Sequence, residues 1–463
     1  MNRHRTRLVS TILLLLLSQS VVGAQVAPAD QDVRAILQGR VEQSKRNVGI
    51  VVGLISDKGT RVVSYGKPDV NSPRELDGDS VFEIGSVTKV FTSTLLADMV
   101  ARGEVGLNDP IAKYLPKAVR VPTRNGREIT LLDLATQSSG LPRLPNNMTP
   151  KDPNNPYADY SVEQMYDFLS HYTLTRDIGA RYEYSNLGVG LLGHVLALRA
   201  GMDYETLVVK RICQPLGMNN TRIKLTPQMQ AHLATGHDQG GAAVPSWDLP
   251  TLAGAGALRS TANDMLKFLA ANIGLRKTEL LSAMQQTHLA RRSTGMPDVS
   301  IGLGWHILNK YGTEIVWHNG GTGGYHSFIG FDRSKRLGVV VLSNSNNDID
   351  DIGLHLLESK YELVKYAPPS ARKAIKLDPK IFDAYVGQYE LVPNFIITIT
   401  RDGDRFYAEA TGQGKAELFA ASETDFFLTL VDAQLTFVKD AQGQVVRLIL
   451  HQSGRDTPAQ KIK

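Results

Sequence analysis

Cysteine is nearly absent: Cys213 is the only one in the chain. An intramolecular disulfide is therefore impossible, and a cysteine-based metal cluster is excluded. Long apolar runs are also scarce. Beyond the N-terminus, no segment approaches the ~18 apolar residues of a spanning helix. No fixed-period repeat is present. Acids are missing from residues 1–24, which hold Arg3, Arg5 and Arg7. These arginines precede the apolar run Leu8–Leu17, and "SQSVVGAQ" follows with Val22 and Ala24 at the small-residue positions of a cleavage site. This is the layout of a secretory signal peptide, with cleavage expected after Ala24 and a periplasmic or secreted mature protein. An uncleaved N-terminal anchor is the alternative. Cleavage would remove three arginines and no acid, so a formal charge of +5 falls to +2. So small a balance gives no reason to expect nucleic acid or an anionic membrane as partner.

What is present divides the chain. "GIVVGLISDKGTRVVSYGK" reads as two strands around a turn at Asp57-Lys58-Gly59. An apolar helical pattern follows Ser86, through Val87, Val90, Phe91, Leu95, Met99 and Val100, with Gly103 placed to cap it. A long middle section mixes helices with Pro- and Asn-rich loops. Strand patterns return in "TEIVWHNG", "YHSFIGFD" and "LGVVVLSN", with a turn at Asp332-Arg333-Ser334-Lys335. Strands at both ends and helices between predict an α/β or α+β domain whose sheet joins the two ends. Residues 366–380 form a Pro- and Lys-bearing connector. Short alternating strands then predict a small all-β barrel or sandwich over 381–463. The expected organisation is a signal peptide over 1–24, a main domain over 25–365, the linker and the β module.

Three short motifs carry chemistry. Ser-x-x-Lys occurs as Ser64–Lys67, Ser86–Lys89 and Ser370–Lys373. The first lies on a strand, where residues three apart face opposite sides. The third lies in the connector. Only Ser86 opens a helix, where a residue three positions on shares its face and the helix terminus adds positive potential. The plain alternative is that Ser86 only caps the helix. The second motif is Tyr184-Ser185-Asn186, equally readable as a helix start capped by Ser185 or Asn186. The third is "WHNGGTGGYHSF", in which His318 ends an apolar strand and glycines stand at 320, 321, 323 and 324. Glycines there allow close backbone approach, though a plain glycine-rich hairpin accounts for much of the pattern. His232 and His237 invite a metal reading, but no third ligand stands at a recognisable spacing, so no metal and no cofactor is expected.

In this order, Ser-x-x-Lys, Tyr-x-Asn and His-x-Gly resemble the serine β-lactamase and penicillin-binding-protein superfamily, nearest its class C branch. That branch includes D-Ala-D-Ala carboxypeptidases, D-aminopeptidases and family VIII esterases. "FEIGSVTKVFTSTLLADMVARGEVGLNDPIAKYLP", "LLDLATQSSGLP", "QPLGMNNT" and "GALRSTANDMLKFL" support the likeness over roughly residues 35–360. The resemblance implies an α+β β-lactamase/transpeptidase-like fold, an antiparallel sheet flanked by helices plus a helical region. It makes Ser86 the nucleophile, with Lys89 and Tyr184 as the groups that manage its proton. It implies substrate binding and support by Asn186, His318 and Gly320, and an oxyanion hole from the backbone N–H groups of Ser86 and Gly321. Tyr325 and His326 are candidate pocket-lining residues, or simply fill alternate faces of a strand. Two departures stand out. His318 replaces the usual lysine, removing a permanent charge that can attract a substrate carboxylate. Gln137 replaces the histidine usual in its loop, which is read as structural.

The implied activity is hydrolysis of D-amino-acid peptides, as in peptidoglycan, or of β-lactams. A carboxylesterase using the same groups is the nearest alternative, and a non-catalytic peptidoglycan or peptide binder the more distant one. The partner expected is a small-molecule or peptide substrate. The C-terminal module resembles lipocalin-like modules, with covering the pocket, oligomer formation or stabilisation as its possible roles. No pattern specifies an oligomeric state.

Overall fold

The computed structural model describes residues 28–365, 374–392, 395–411, 415–428, 433–452 and 455–463. The signal segment, its cleavage site, the Ser370–Lys373 pair and the 366–373 part of the connector lie outside these residues.

Ten strands serve the main domain: β1 Gly49–Ser56, β2 Gly59–Gly66, β3 Val81–Glu83, β4 Arg259–Thr261, β5 Arg292–Ser293, β6 Val299–Ile301, β7 His306–Lys310, β8 Thr313–Gly321, β9 His326–Asp332 and β10 Leu337–Ser343. Eight form one antiparallel sheet in the order β2-β1-β10-β9-β8-β7-β6-β5, and β3 pairs with β4. The two ends of the domain meet where β1 pairs with β10, for example Val52 opposite Val341. The Asp57-Lys58 turn leads into Gly59 at φ 103°, as the hairpin reading expects.

The central strands are apolar without interruption because both faces are covered. On one face Ile50, Val52, Leu54, Phe328, Val339 and Val341 pack with Val33 and Leu37 of the Asp30–Gln38 helix and Ile352 and Leu356 of the Asp350–Leu357 helix. Their neighbours Val51, Ile55, Ile329, Val340 and Leu342 face the opposite way, towards Leu266 and Leu269 of the Ala262–Asn272 helix. This two-residue alternation continues along β8.

The helix after Ser86 spans Thr88–Ala101, preceded by a 3₁₀ turn over Gly85–Val87, and Gly103 follows at φ 70°. It is buried on every side from Thr88 to Met99, not only along an apolar stripe. Most of its buried polar side chains find partners, Ser93 Oγ being an exception: Thr92 Oγ1 donates to Gly254 O at 2.7 Å and meets Tyr204 Oη at 2.7 Å.

The C-terminal module is a closed barrel of eight antiparallel strands, from Gly387–Val392 to Arg455–Lys461, each paired with its neighbour in sequence. The first and last strands close it through Tyr389 opposite Lys461 and Glu390 opposite Gln460. Aromatic rings fill it. Phe382 stacks on Phe406 at 3.8 Å, and Tyr385, Phe426 and Phe437 pack around them.

Candidate active site

Ser86 is the single partly exposed residue between Ser80 and Met99; every other residue of that stretch is buried. Its backbone is pinned from three sides. Ile84 N donates to Leu258 O at 3.0 Å, Ser327 Oγ donates to Ile84 O at 2.8 Å, and Leu258 N donates to Thr88 Oγ1 at 3.2 Å. The Ser86 side chain does not cap the helix, whose terminus has no side-chain cap. Its hydroxyl faces Lys89, one turn on.

Lys89 is fully buried and has three polar partners: Ser86 Oγ at 2.8 Å, Asn186 Oδ1 at 2.9 Å and Ala255 O at 2.7 Å. Two of these are amide-type oxygens that only accept. A neutral amine satisfies both with its two hydrogens and turns its lone pair to the serine hydroxyl. Burial, and then the positive charge of Arg143, holds the lysine well below its ordinary pKa. The Ala253–Gly256 turn can bring Ala255 O so near because Gly254 is bare: a Cβ there would stand 2.9 Å from Gly193 Cα and 3.1 Å from Val189 O.

Tyr184 lies beside this pair. Lys89 Nζ is 4.8 Å and Arg143 Cζ 5.2 Å from the centre of its ring. Burial raises its hydroxyl to about 12, although a hydrogen bond with Ser86 and the charge of Arg143 pull the other way. The lysine and the phenol thus move apart in pKa: the lysine is pushed towards its uncharged amine, and the phenol holds its proton at neutral pH. Both readings of the second motif hold together. Ser185 caps the Asn186–Ala200 helix through Gly188 N at 2.8 Å, while Asn186 reaches Lys89 and donates Nδ2–H to Tyr157 Oη at 3.3 Å.

Along β8, His318 and Gly320 share the Val316 face, and Asn319 turns to the other face, where its amide donates to Asp350. His318 is 1 % exposed. Its Nδ1 lies 2.6 Å from Asn319 O, so Nδ1 carries the hydrogen and Nε2 the lone pair. Burial first, then the neighbours His306 and Lys89, hold it well below its ordinary pKa, so it is neutral. Gly320 is required by contact: a Cβ there would stand 2.8 Å from Ser86 N and 2.2 Å from Ile84 O. Gly321, the next residue, is exposed. A Cβ on Gly85 would stand 3.0 Å from Gly321 N. The backbones of the two expected oxyanion-hole residues are therefore side by side.

Not every expected lining residue opens on this site. Tyr325 is buried and spends its hydroxyl on Ala234 O at 2.6 Å, which makes it a packing anchor. His326 is partly buried, with Nε2 3.1 Å from Asp350 Oδ1. With Asp348 these form a group whose donor atoms lie within 4.8 Å of one another, and His326 and Asp350 are already paired. Burial opposes a charge on His326, but the hydrogen bond and charge of Asp350, aided by Asp348 and Asp351, raise its pKa overall. His232 and His237 have separate partners, Gln228 O and Asn344 O.

Several neighbours carry no recognisable motif. Gln137, at φ 56°, accepts Glu183 N on its carbonyl at 2.7 Å and Ser185 N on its side chain at 2.7 Å, bracing Tyr184 from both sides. Tyr157 packs against Trp247 with ring centres 5.4 Å apart. His306 sits 5.2 Å from His318, ring to ring. The positive φ of Gln137 and the aromatic wall depend on long-range packing that local patterns do not encode.

An alcohol, an amine, a phenol and two adjoining strands of backbone, converging across the junction of a sheet and a helical region, define the serine β-lactamase class of fold and site. The chain belongs to the β-lactamase family, whose model matches residues 30–357. Residues 371–461 match a domain of unknown function, DUF3471. The chain is 32 % identical over 324 residues to the D-alanyl-D-alanine-carboxypeptidase/endopeptidase AmpH of Escherichia coli K12, covering 64 % of this chain and 82 % of that one. It is 26 % identical over 429 residues to penicillin-binding protein 4* of Bacillus subtilis, covering 86 % and 92 %. The crystal structure of a β-lactamase/D-alanine carboxypeptidase from Yersinia pestis superposes with a TM-score of 0.63 at 25 % identity, over 73 % of this chain and 100 % of that one.

Proposed function

We propose that the protein is an exported serine hydrolase that forms an acyl-enzyme on Ser86 and opens amide bonds of D-amino-acid peptides, as in peptidoglycan, or of β-lactams. The observation that carries this reading is the 2.8 Å contact between Lys89 Nζ and Ser86 Oγ, with the lysine's remaining partners both obligate acceptors. A serine hydroxyl needs a base to become a nucleophile, and here burial and the charge of Arg143 push the amine towards its uncharged form. In this scheme Ser86 Oγ bonds to the substrate carbonyl carbon and its proton passes to Lys89. The carbonyl oxygen takes the charge and is met by the N–H groups of Ser86 and Gly321. The amide C–N bond breaks as Tyr184, which keeps its proton at neutral pH, supplies that proton to the leaving nitrogen and regains one from Lys89. Water then attacks the acyl carbon by the reverse relay, returning the serine.

The AmpH relative is named a D-Ala-D-Ala carboxypeptidase/endopeptidase, which supports peptides with D-residues as substrates. Burial and neutrality of His318, where β-lactamases usually carry lysine, favour a second reading, a carboxylesterase on the same groups. The test is covalent labelling by a fluorophosphonate and by a labelled penicillin. Labelling is expected in the parent protein and absent in Ser86→Ala; equal labelling would refute acylation at Ser86. Turnover of p-nitrophenyl esters alone, with no D-Ala-D-Ala or β-lactam cleavage, would select the esterase. Export is tested by the N-terminus of the mature protein, expected at Gln25.

A further inference from the structure

We propose that Arg143 receives a carboxylate of the substrate, so that the amides this site prefers carry a free carboxylate near the scissile bond. The inference rests on the proposed hydrolase reading and deepens it. A site that binds such an anion needs a permanent positive charge. Neither basic side chain inside the pocket supplies one. His318 is buried with Nδ1–H committed to Asn319 O, and Lys89 is buried with Asn186 and Ala255 as acceptors.

Arg143 stands just outside them. Its side chain is exposed, and its guanidinium carbon lies 5.2 Å from the centre of the same Tyr184 ring that Lys89 approaches at 4.8 Å. Its backbone is fixed at the start of the Asn186–Ala200 helix, since Arg143 O accepts Asn186 N at 3.0 Å and Leu187 N at 3.2 Å. The surrounding arginines are already spent on acids: Arg176 and Arg181 on Glu183, Arg127 and Arg292 on Asp133, Arg259 on Glu83. Among the described residues, no carboxylate pairs with Arg143. Its charge reaches the reacting groups, because it contributes to the lowered pKa of Lys89 and opposes the rise at Tyr184 and Tyr157. A guanidinium is charged at every working pH and offers a fork that matches two carboxylate oxygens. With histidine at position 318, the permanent cation beside the site stands on the Tyr184 side, not on the sheet side.

The competing role is that Arg143 only tunes Tyr184. Two substrate pairs separate the roles: N-acyl-D-Ala-D-Ala against its C-terminal carboxamide, and benzylpenicillin against its methyl ester. Acylation rates are measured for the parent, Arg143→Gln and Arg143→Lys. The parent is expected to favour the free acids by tenfold or more. Arg143→Gln should lower the acid-to-neutral ratio at least tenfold, chiefly through KM, with Arg143→Lys intermediate. An unchanged ratio in Arg143→Gln, with or without a shifted pH profile, overturns the proposal, as does a parent without acid preference or without acylation by either pair. Fluorophosphonate labelling of Ser86 distinguishes the failures. If it persists, only the role of Arg143 falls; if it is absent from the parent, the hydrolase reading falls too.

Discussion

The two folded regions fill their cores in opposite ways. Among the described residues, every buried polar or charged side chain lies between Arg40 and Glu358, including Lys89, Glu83, Arg259 and His318. None of them is among the described residues of the C-terminal barrel; its centre is Phe382, Tyr385, Tyr389, Phe406, Phe426 and Phe437, with the tyrosine hydroxyls bonded to backbone carbonyls. An apolar core stabilises in proportion to the area it removes from water. A buried amine works against folding unless it sheds its proton or finds partners. In the proposed reading, that same penalty is what would make Lys89 a base.

The sharpest way to break this contrast is to give the site a core like the barrel's. Lys89→Met keeps the length of the side chain and removes the base. Acylation is expected to fall by about 10³–10⁴-fold, towards the upper range for general-base catalysis. Stability should respond differently. Burial holds the lysine below its unfolded pKa, so between the two values the unfolded chain binds the extra proton, and the parent gains stability as pH rises through that interval towards about 10.4. Lys89→Met should lack that gain, as thermal melts at several pH values would read.

Gly320→Ala tests the backbone half of the site. A methyl group 2.2 Å from Ile84 O must push β8 from the Ser86 turn. Losing the alignment of one oxyanion donor is expected to lower kcat by about 10²–10³-fold. Phe426→Ala sharpens the contrast from the other side. It should cost the barrel about 3–5 kcal/mol, typical of a large-to-small change in a packed core, while the acylation rate of folded protein stays at the parent value. A matching loss of acylation would show that the barrel takes part in the chemistry.

Much of this was legible where chemistry follows local geometry. Ser86 and Lys89 are one helical turn apart, and His318 and Gly320 share a strand face, so two of three motifs are periodic facts. The β1–β2 turn carries the glycine its geometry needs; the turn expected at Asp332–Lys335 lies one residue later, over 333–336, with Arg336 at φ 49°. The base was not legible. Sequence alone left Lys89 and Tyr184 as equal partners in managing the proton, and burial separated them by moving their pKa values in opposite directions. Arg143 and Gln137 lie in or beside a loop read as structural, and their roles come from contacts with Tyr184 and Ser185, distant in sequence. In the barrel, the alternating segments at 395–401, 405–411, 426–431, 434–440 and 445–451 stood out in the sequence. Those that close it did not, because Arg455–Lys461 is polar and contains Pro458.

The account depends on the protonation state of one side chain. The direct measurement is the titration of Lys89 by ¹³C NMR in protein labelled at lysine Cε, with Lys89→Met assigning the signal. The expected result is an amine whose pKa lies well below the ordinary value of about 10.4, uncharged where the enzyme acylates fastest. A Lys89 signal titrating at or above that value would contradict the assignment of the lysine as the resting base.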